Sequence, residues 1–175
     1  MKFIHISDIH LVSGDGPLNG CVPSDRLNKC IQDITKWHGD AKFCVISGDL
    51  SEFAEKGAYQ SLKKKLLEFQ IQCFLMIGNH DDRDLFQSVF TNNPCDENKF
   101  VQSSFETDER VFIFLDTKKQ GKNVHDGELC ENRLDWLKKQ IINSGNKPTY
   151  LFMHHPPFDI GIPYLDKIRL FDSDQ

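Results

Sequence analysis

The sequence predicts a mixed α/β fold, and two features of its 175 residues carry that prediction. Short apolar runs typical of β-strands alternate with helical patterns along the first half of the chain, and each run ends in polar residues. Helices between strands imply right-handed crossovers and therefore a mainly parallel sheet. In such sheets, ligands bind beyond the carboxyl ends of the strands.

The order of strand, polar loop and helix repeats three times in the first half of the chain, and helical patterns define the helices of the first two repeats. The predicted strands are residues 2–7, 43–46 and 71–77, and the predicted helices are residues 24–39 and 52–68. Ser24 is a typical N-cap, and Gly39 is a typical helix end. The loop from Leu11 to Pro23 holds three glycines and two prolines, so no regular element is expected there.

The second half indicates an antiparallel component. Residues 100–105 and 110–115 are strand-like, and the short polar link between them predicts a hairpin. A helix is expected over residues 127–143 and a buried strand over residues 149–153, which ends in His154-His155-Pro156-Pro157. Length and composition are those of a single globular domain over residues 1–175.

Charge and composition exclude several classes of protein. The 26 acidic and 21 basic residues give a net charge of -5, which argues against nonspecific coating of nucleic acid. No apolar run approaches the ~20 residues that cross a bilayer, so no membrane segment is expected. The six cysteines show no CxxC spacing, and we interpret them as reduced thiols of a cytoplasmic protein.

Polar clusters follow four separate apolar strands. The clusters are Asp8-Ile9-His10, Gly48-Asp49, Gly78-Asn79-His80-Asp81 and His154-His155. A turn or a helix cap explains any one of them equally well. Because a sheet brings the carboxyl ends of its strands to one edge, the four together predict a shared site.

The side chains of these clusters are typical of a metal centre. Carboxylate, amide and imidazole donors without a thiolate suit Mn, Fe, Co or Zn. Asp49 is the natural bridging carboxylate, since its strand is expected to lie between the strand that carries Asp8 and His10 and the strand that carries Asn79. Two ions about 3.5–4 Å apart can hold a hydroxide and clamp both oxygens of a displacement at phosphorus. The pattern therefore predicts a phosphoesterase with two divalent metal ions.

The motifs DxH, GD, GNHD and HHPP, in this order and each at a strand end, resemble the calcineurin-like metallophosphoesterase superfamily. The stretch from Gly78 to Arg83 and the HHPP stretch are most similar to its branch of cyclic nucleotide phosphodiesterases and glycerophosphodiesterases. The resemblance implies a two-sheet β-sandwich flanked by helices.

The resemblance also assigns roles to six residues of the strand-end clusters. Asp8 and His10 would bind the first metal, Asp49 would bridge, and Asn79 and His154 would bind the second. His80 would be a catalytic residue rather than a ligand, because it would contact the phosphate and help the leaving oxygen depart.

Two departures from the family pattern qualify the resemblance. The family often has aspartate where Glu52 stands, and it completes its site with a later GHxH, whereas the 18 residues after Pro157 contain no histidine. We therefore expect a C-terminally incomplete domain that lacks the last strands of one sheet and binds metal weakly. The exposed sheet edge would favour association with a second copy.

The expected function is hydrolysis of a cyclic nucleotide or another small phosphodiester. The alternative is a non-catalytic or weakly active relic that acts as a binding scaffold. A nuclease is less expected, because the sequence is acidic and lacks a basic, aromatic-rich groove. The loop from Leu11 to Arg26 is expected to face the substrate. His5, His38 and His125 are expected to be structural or surface residues, and His155 either supports the site or belongs to a turn.

Overall fold

A computed structural model of the chain describes residues 1–121 and 124–170. The strands are β1 (Ile4–Ile6), β2 (Cys44–Ser47), β3 (Cys73–Met76), β4 (Ser103–Glu106), β5 (Val111–Leu115) and β6 (Thr149–Met153). The helices are α1 (Pro23–His38), α2 (Lys56–Glu68), α3 (Arg83–Val89), α4 (Glu131–Ser144) and α5 (Pro163–Asp166). The strands form two three-stranded sheets flanked by helices, which confirms the predicted α/β class with two sheets.

The chain forms two compact units. The N-terminal unit comprises residues 1–75 and 80–93, and the C-terminal unit comprises residues 76–79 and 94–175. The boundary passes through the GNHD motif, so that Asn79 belongs to the C-terminal unit and His80 to the N-terminal unit. The prediction of a single domain, incomplete at its C-terminal end, stays a prediction.

The N-terminal unit is built on the sheet β1-β2-β3. β1 and β2 are parallel, as predicted, and every residue of β2 is buried. Helix α1 begins at Pro23, whose missing N–H costs nothing in the first helical turn. It buries Leu27 and Ile34 at helical spacing, and α2 buries Ala58 and Leu62 in the same way.

Helices of the N-terminal unit differ from the predictions in two places. α2 begins at Lys56 rather than at residue 52, because the preceding segment is a loop in which Ser51 Oγ accepts a hydrogen bond from the Glu55 N–H. α3 was not predicted. It is capped by Asp82, whose Oδ1 accepts from the Leu85 N–H at 2.8 Å.

The C-terminal unit is built on the sheet β4-β5-β6. β4 and β5 pair antiparallel, which confirms the predicted hairpin, and β6 pairs with β5 in parallel. All five residues of β5 are buried, and Leu115 at its end packs with Leu129 and Leu170. Leu134 and Met153 cover this cluster from α4 and β6.

Strand β6 ends the order of its sheet among the residues that the structure describes. Its Tyr150 and Leu151 side chains are 41% and 40% exposed. Association of two copies through this strand stays a prediction. Among residues 1–121 and 124–170, no helix has the length and apolar character that crossing a membrane requires.

Candidate metal centre

The loops after β1 and β2 continue the parallel pairing of the two strands. The Asp8 N–H donates to the Gly48 carbonyl at 3.2 Å, and the His10 N–H donates to the Asp49 carbonyl at 2.9 Å. Leu11 and Ser51 then form one more parallel bridge. These contacts place the polar residues that follow the two strands side by side at one edge of the sheet, as the parallel order predicts.

The backbone is strained at all three predicted ligands in these loops. Asp8, His10 and Asp49 have φ angles of 56°, 45° and 49°, in the left-handed region that L-residues rarely adopt. Such strain persists only where surrounding contacts enforce it, and it is concentrated at functional sites. The observed torsions therefore support a functional role for this edge of the N-terminal unit.

The carboxylates of Asp8 and Asp49 both lie near one imidazole nitrogen, Nε2 of His10. His10 Nε2 lies 3.7 Å from Asp8 Oδ1 and 3.7 Å from Asp49 Oδ2. Donor atoms that share one ion at about 2.1 Å are about 3–4 Å apart. The carboxylate of Asp49 is buried, whereas His10 is half-buried. The structure thus places His10 Nε2 at a spacing from each aspartate that is compatible with a shared ion, and binding of a metal by the three residues stays a prediction.

Glu52 supports this group from the other side of the His10 ring. Its Oε2 lies 2.7 Å from His10 Nδ1, which leaves Nε2 directed to the two aspartates. The contact has an ion-pair distance but not the geometry of a hydrogen bond, since His10 Nδ1 has no hydrogen-bond partner among the described residues. Glu52 therefore acts on the ring through its negative charge. The sequence analysis noted Glu52 only as a departure from the family pattern, and its contact with His10 was not predicted.

Three carboxylates hold His10 in an acidic environment. Without a metal ion, the interaction with the Asp8 carboxylate and the charges of Asp49 and Glu52 raise the pKa of His10 to about 9, against the opposing effect of burial. The surplus of negative charge that favours a proton on His10 also favours a divalent cation in its place.

His80 lies in the same group. Its backbone N–H donates to Asp49 Oδ1 at 2.9 Å, and its Nδ1 donates to the Glu52 carbonyl at 2.9 Å. One donor atom each of His10, Asp49 and His80 lies within 4.8 Å of the others. The structure therefore brings His80 next to the predicted ligands, and its role as a catalytic residue rather than a ligand stays a prediction.

Asp81 anchors the loop that carries Asp49. Its buried carboxylate accepts from the N–H groups of Leu50 and Ser51 at 3.0–3.1 Å and from the Tyr59 hydroxyl at 3.0 Å. Burial, together with the Asp81 charge, raises the pKa of Tyr59, which therefore stays a hydrogen-bond donor. Asp81 thus fixes the conformation of the metal-binding loop.

The C-terminal unit holds the two remaining predicted ligands. His154 follows β6, and its Nε2 donates to Asn79 Oδ1 at 3.1 Å. The other end of the amide, Asn79 Nδ2, donates to His125 Nδ1 at 3.0 Å. His125 was expected to be a surface residue, and it is exposed, but it also orients the amide so that the oxygen is directed to His154.

Buried side chains support this second group. His155 is 1% exposed; its Nδ1 accepts from Thr117 Oγ1 at 2.7 Å, and its Nε2 donates to the His125 carbonyl at 3.2 Å. Gly127 packs against the ring so closely that a Cβ there would lie 2.6 Å from His155 Cγ. His155 was expected either to hold residues of the site in place or to belong to a turn. Its buried hydrogen bonds favour the first interpretation.

Lys118 gives the C-terminal group a positive charge. Its Nζ donates to the Asn79 carbonyl at 3.0 Å. The buried Arg133 guanidinium donates to the carbonyls of Asp116 and Lys118, each at 3.0 Å, and so fixes this part of the chain. The sequence analysis predicted neither contact.

The residues of both units fit divalent transition metals by their donor chemistry. In the N-terminal unit, the carboxylate of Asp49 and the imidazoles of His10 and His80 offer hard oxygen and borderline nitrogen donors, the set that suits Mn, Fe, Co and Zn. In the C-terminal unit, the predicted ligands are an uncharged amide oxygen and an imidazole nitrogen. The two groups therefore differ in charge although both are composed of metal-binding side chains.

Comparison with known proteins identifies the family. The family model of calcineurin-like phosphoesterases matches residues 1–173. The chain belongs to this family. The resemblance drawn from the four strand-end motifs is therefore confirmed, and divalent metal ions are normal in this family.

Similar proteins carry two kinds of phosphodiesterase name. The chain is 36% identical to a probable cyclic nucleotide phosphodiesterase of Rhodopseudomonas palustris, over 99% of this chain and 64% of the relative. It is 30% identical to a cAMP/cGMP dual specificity phosphodiesterase of Mycobacterium tuberculosis, over 97% and 54% of the two chains. It is 29% identical to a probable glycerophosphodiester phosphodiesterase of Arcobacter nitrofigilis, over 95% and 61%. The chain thus spans between half and two thirds of the length of these relatives.

Proposed function

We propose that this chain carries catalytic residues of a metal-dependent phosphodiesterase that hydrolyses a cyclic nucleotide or another small phosphodiester. The observation that carries the proposal is the convergence of Asp8 and Asp49 on His10 Nε2, in a chain that belongs to a phosphoesterase family. Relatives named cyclic nucleotide phosphodiesterases support the substrate class.

Two divalent ions are part of the proposal. Asp8, His10 and Asp49 would hold the first ion, and Asn79 and His154 would be ligands of the second, with Asp49 shared as the family resemblance implies. Bound divalent ions would supply Lewis-acid activation of water and neutralise charge on the phosphate. Mn, Fe, Zn and Co all suit the donors.

His80 would assist departure of the leaving oxygen. Its Nδ1–H is occupied by the Glu52 carbonyl, so Nε2 is the nitrogen that can take up and deliver a proton. The hydrogen bond from Nδ1 keeps the same orientation in the neutral and the protonated ring, since that nitrogen carries hydrogen in both states. A general acid held in this way contributes ~10²–10⁴-fold to a rate.

A metal-binding scaffold without turnover is the second candidate. It is favoured by the acidic group around His10, because a cation could bind there whether or not hydrolysis follows. The two candidates share the metal and differ in the reaction, so an experiment must measure both.

The test is hydrolysis of bis(p-nitrophenyl) phosphate and of cAMP by the purified chain with Mn, beside calorimetric titration of Mn. The phosphodiesterase proposal expects hydrolysis of at least one diester that is absent from Asp49→Ala. Mn binding without hydrolysis of either diester would contradict it and support the scaffold. Absence of both would contradict both candidates.

Two further predictions belong to this proposal. A cytoplasmic location rests on the six thiols, which are all free in the structure. Association of two copies rests on the position of β6 at the end of its sheet. A monodisperse monomer in light scattering at high concentration would contradict the association.

A further inference from the structure

The N-terminal unit contains a cavity of about 430 Å³ beside the predicted ligands of the first metal. Asp8 and His10 line one side of it, and the start of α1, with Arg26 and Leu27, lines another. The loop before α1 contributes Leu18 and Asn19. This is the loop that the sequence predicted to face the substrate.

The wall formed by the loop is an ordered turn. The Leu18 N–H donates to the Cys21 carbonyl at 2.7 Å, and the Cys21 N–H donates to the Leu18 carbonyl at 3.0 Å. The two residues between them, Asn19 and Gly20, have φ angles of 48° and 81°, as an Asn-Gly turn of type I′ requires. Leu18 is therefore held in place at the cavity by its own backbone hydrogen bonds.

The size of the cavity distinguishes between the two substrate classes that relatives suggest. Pockets for small organic ligands are roughly 300–1,000 Å³, and this cavity lies in that range. A glyceryl group would leave most of the volume empty, whereas a nucleoside would occupy a much larger share of it.

The chemistry of the lining also suits a nucleoside. Leu18, Leu27 and Ile9 offer apolar surface to a planar base. Arg26 carries a permanent positive charge and a planar fork of N–H donors, which match the ring nitrogens and carbonyl oxygens of a base. Glycerol has no comparable acceptor edge or apolar face.

We propose that this cavity binds the nucleoside of a nucleotide substrate, with Leu18 as a wall and Arg26 as the residue that recognises the base. The inference rests on the proposed function for its substrate class and deepens it, since it selects nucleotides over glycerophosphodiesters. Asp8 and His10 line the same cavity, so a nucleoside bound there would lie beside the predicted ligands of the first metal.

Equilibrium binding tests the proposal without requiring turnover. Calorimetry with Mn compares AMP with ribose 5-phosphate, which has the sugar phosphate but no base. The chain is expected to bind AMP at least about tenfold more tightly, the value of one good hydrogen-bonded or stacked base contact. Equal affinity for the two ligands would overturn the proposal.

Substitutions at Leu18 and Arg26 test whether the base of AMP binds in this cavity. Leu18→Trp fills the cavity and Arg26→Met removes the donors, and each is expected to reduce the preference for AMP to less than about threefold. Lys29→Gln, on the same helix but outside the cavity lining, is the matched control and should keep the preference. Circular dichroism establishes that each variant is folded; if Leu18→Trp does not fold, Arg26→Met alone decides.

The outcome is separable from that of the proposed function. A chain that prefers AMP through Leu18 and Arg26 but hydrolyses no diester would support the cavity and contradict the phosphodiesterase. A chain that hydrolyses diesters while both variants keep the full preference for AMP would contradict the cavity alone.

Discussion

The two groups of site residues achieve metal-binding chemistry by opposite means. In the N-terminal unit, Asp8, Asp49 and Glu52 surround His10 with negative charge, and the backbone is strained at three of these positions. In the C-terminal unit, the uncharged amide of Asn79 is aligned by hydrogen bonds with His154 and His125, and the cation of Lys118 lies against the backbone carbonyl of Asn79. The difference teaches that, in our proposal, the first group would attract a cation by charge, whereas the second would depend on the orientation of its ligands.

This contrast predicts which substitutions remove metal and which only weaken its binding. Loss of a carboxylate in the acidic group removes a negative charge, and that charge attracts a cation strongly because the site is partly shielded from water. Loss of an orienting residue in the neutral group leaves the ligands present but poorly directed. The variants below test that distinction in order of decreasing effect.

Asp49→Ala should have the largest effect. It removes the buried carboxylate that faces His10 Nε2 and accepts the His80 N–H. Hydrolysis should fall by ~10³-fold or more, because a metal contributes several kcal/mol to such reactions. Elemental analysis of the purified variant should find it depleted of metal. Asp33→Ala, an exposed acid on α1, serves as the control and should keep both metal and rate.

His80→Ala should lower turnover by ~10²–10⁴-fold while the metal content stays nearly unchanged. The expected separation follows from the Nδ1 contact with the Glu52 carbonyl, which assigns His80 to proton transfer in our proposal. Metal analysis and kinetics on the same preparation measure both quantities, with His38→Ala as the control. If metal is lost as in Asp49→Ala, His80 is a ligand and the assigned role is wrong.

His125→Ala should have an intermediate effect. It removes the acceptor that orients the Asn79 amide, and loss of such an orienting contact costs about 10–100-fold in metal affinity. Calorimetry with Mn should show weakening of the weaker class of sites only. His125→Gln supplies an acceptor oxygen and should restore part of the affinity. Unchanged affinity in His125→Ala would mean that the amide needs no support.

The smallest effect concerns stability and pH. His5 on β1 lies 2.7 Å from Ser47 Oγ, and burial lowers the pKa of His5 below 6.5 despite the opposing charge of Asp8. The folded chain therefore binds this proton less readily than the unfolded chain. The contribution of neutral His5 to the free energy of unfolding is complete above about pH 6.5. It is lost as the pH falls through the lower pKa that His5 has in the folded chain.

Thermal melts of the wild type and of His5→Gln between pH 5 and 8 measure this contribution. The difference in Tm between the two proteins should shrink as the pH falls below 6.5, and His38→Gln should not reproduce the trend. A difference that is constant across this range would contradict the assignment to His5.

The sequence was sufficient to place the predicted ligands at strand ends, because those positions follow from local pattern alone. Asp8, Asp49 and His154 each follow an apolar strand, and the parallel pairing of β1 and β2 then brings the loops after those two strands together. The contacts of Glu52 and His125 were not predictable in this way. Each acts on a residue distant in sequence, through a loop whose course depends on tertiary packing.

Helix α3 shows a different reason for a missed element. Its cap, Asp82 bonded to the Leu85 N–H, carries an ordinary N-cap signal. A helix cap was one of the explanations considered for the polar cluster after β3, but no bounds for a helix were predicted there. Because Asp82 is both the neighbour of the motif and the helix cap, the sequence pattern alone did not reveal the helix.

The central claim is that Asp8, His10 and Asp49 bind a divalent ion. Anomalous X-ray scattering from crystals of the chain grown with Mn tests it most directly, because it places the ion relative to each donor atom. The account predicts a peak within about 2.0–2.3 Å of His10 Nε2 and of a carboxylate oxygen of each aspartate. A strong peak elsewhere, or none at this group at saturating Mn, would contradict it.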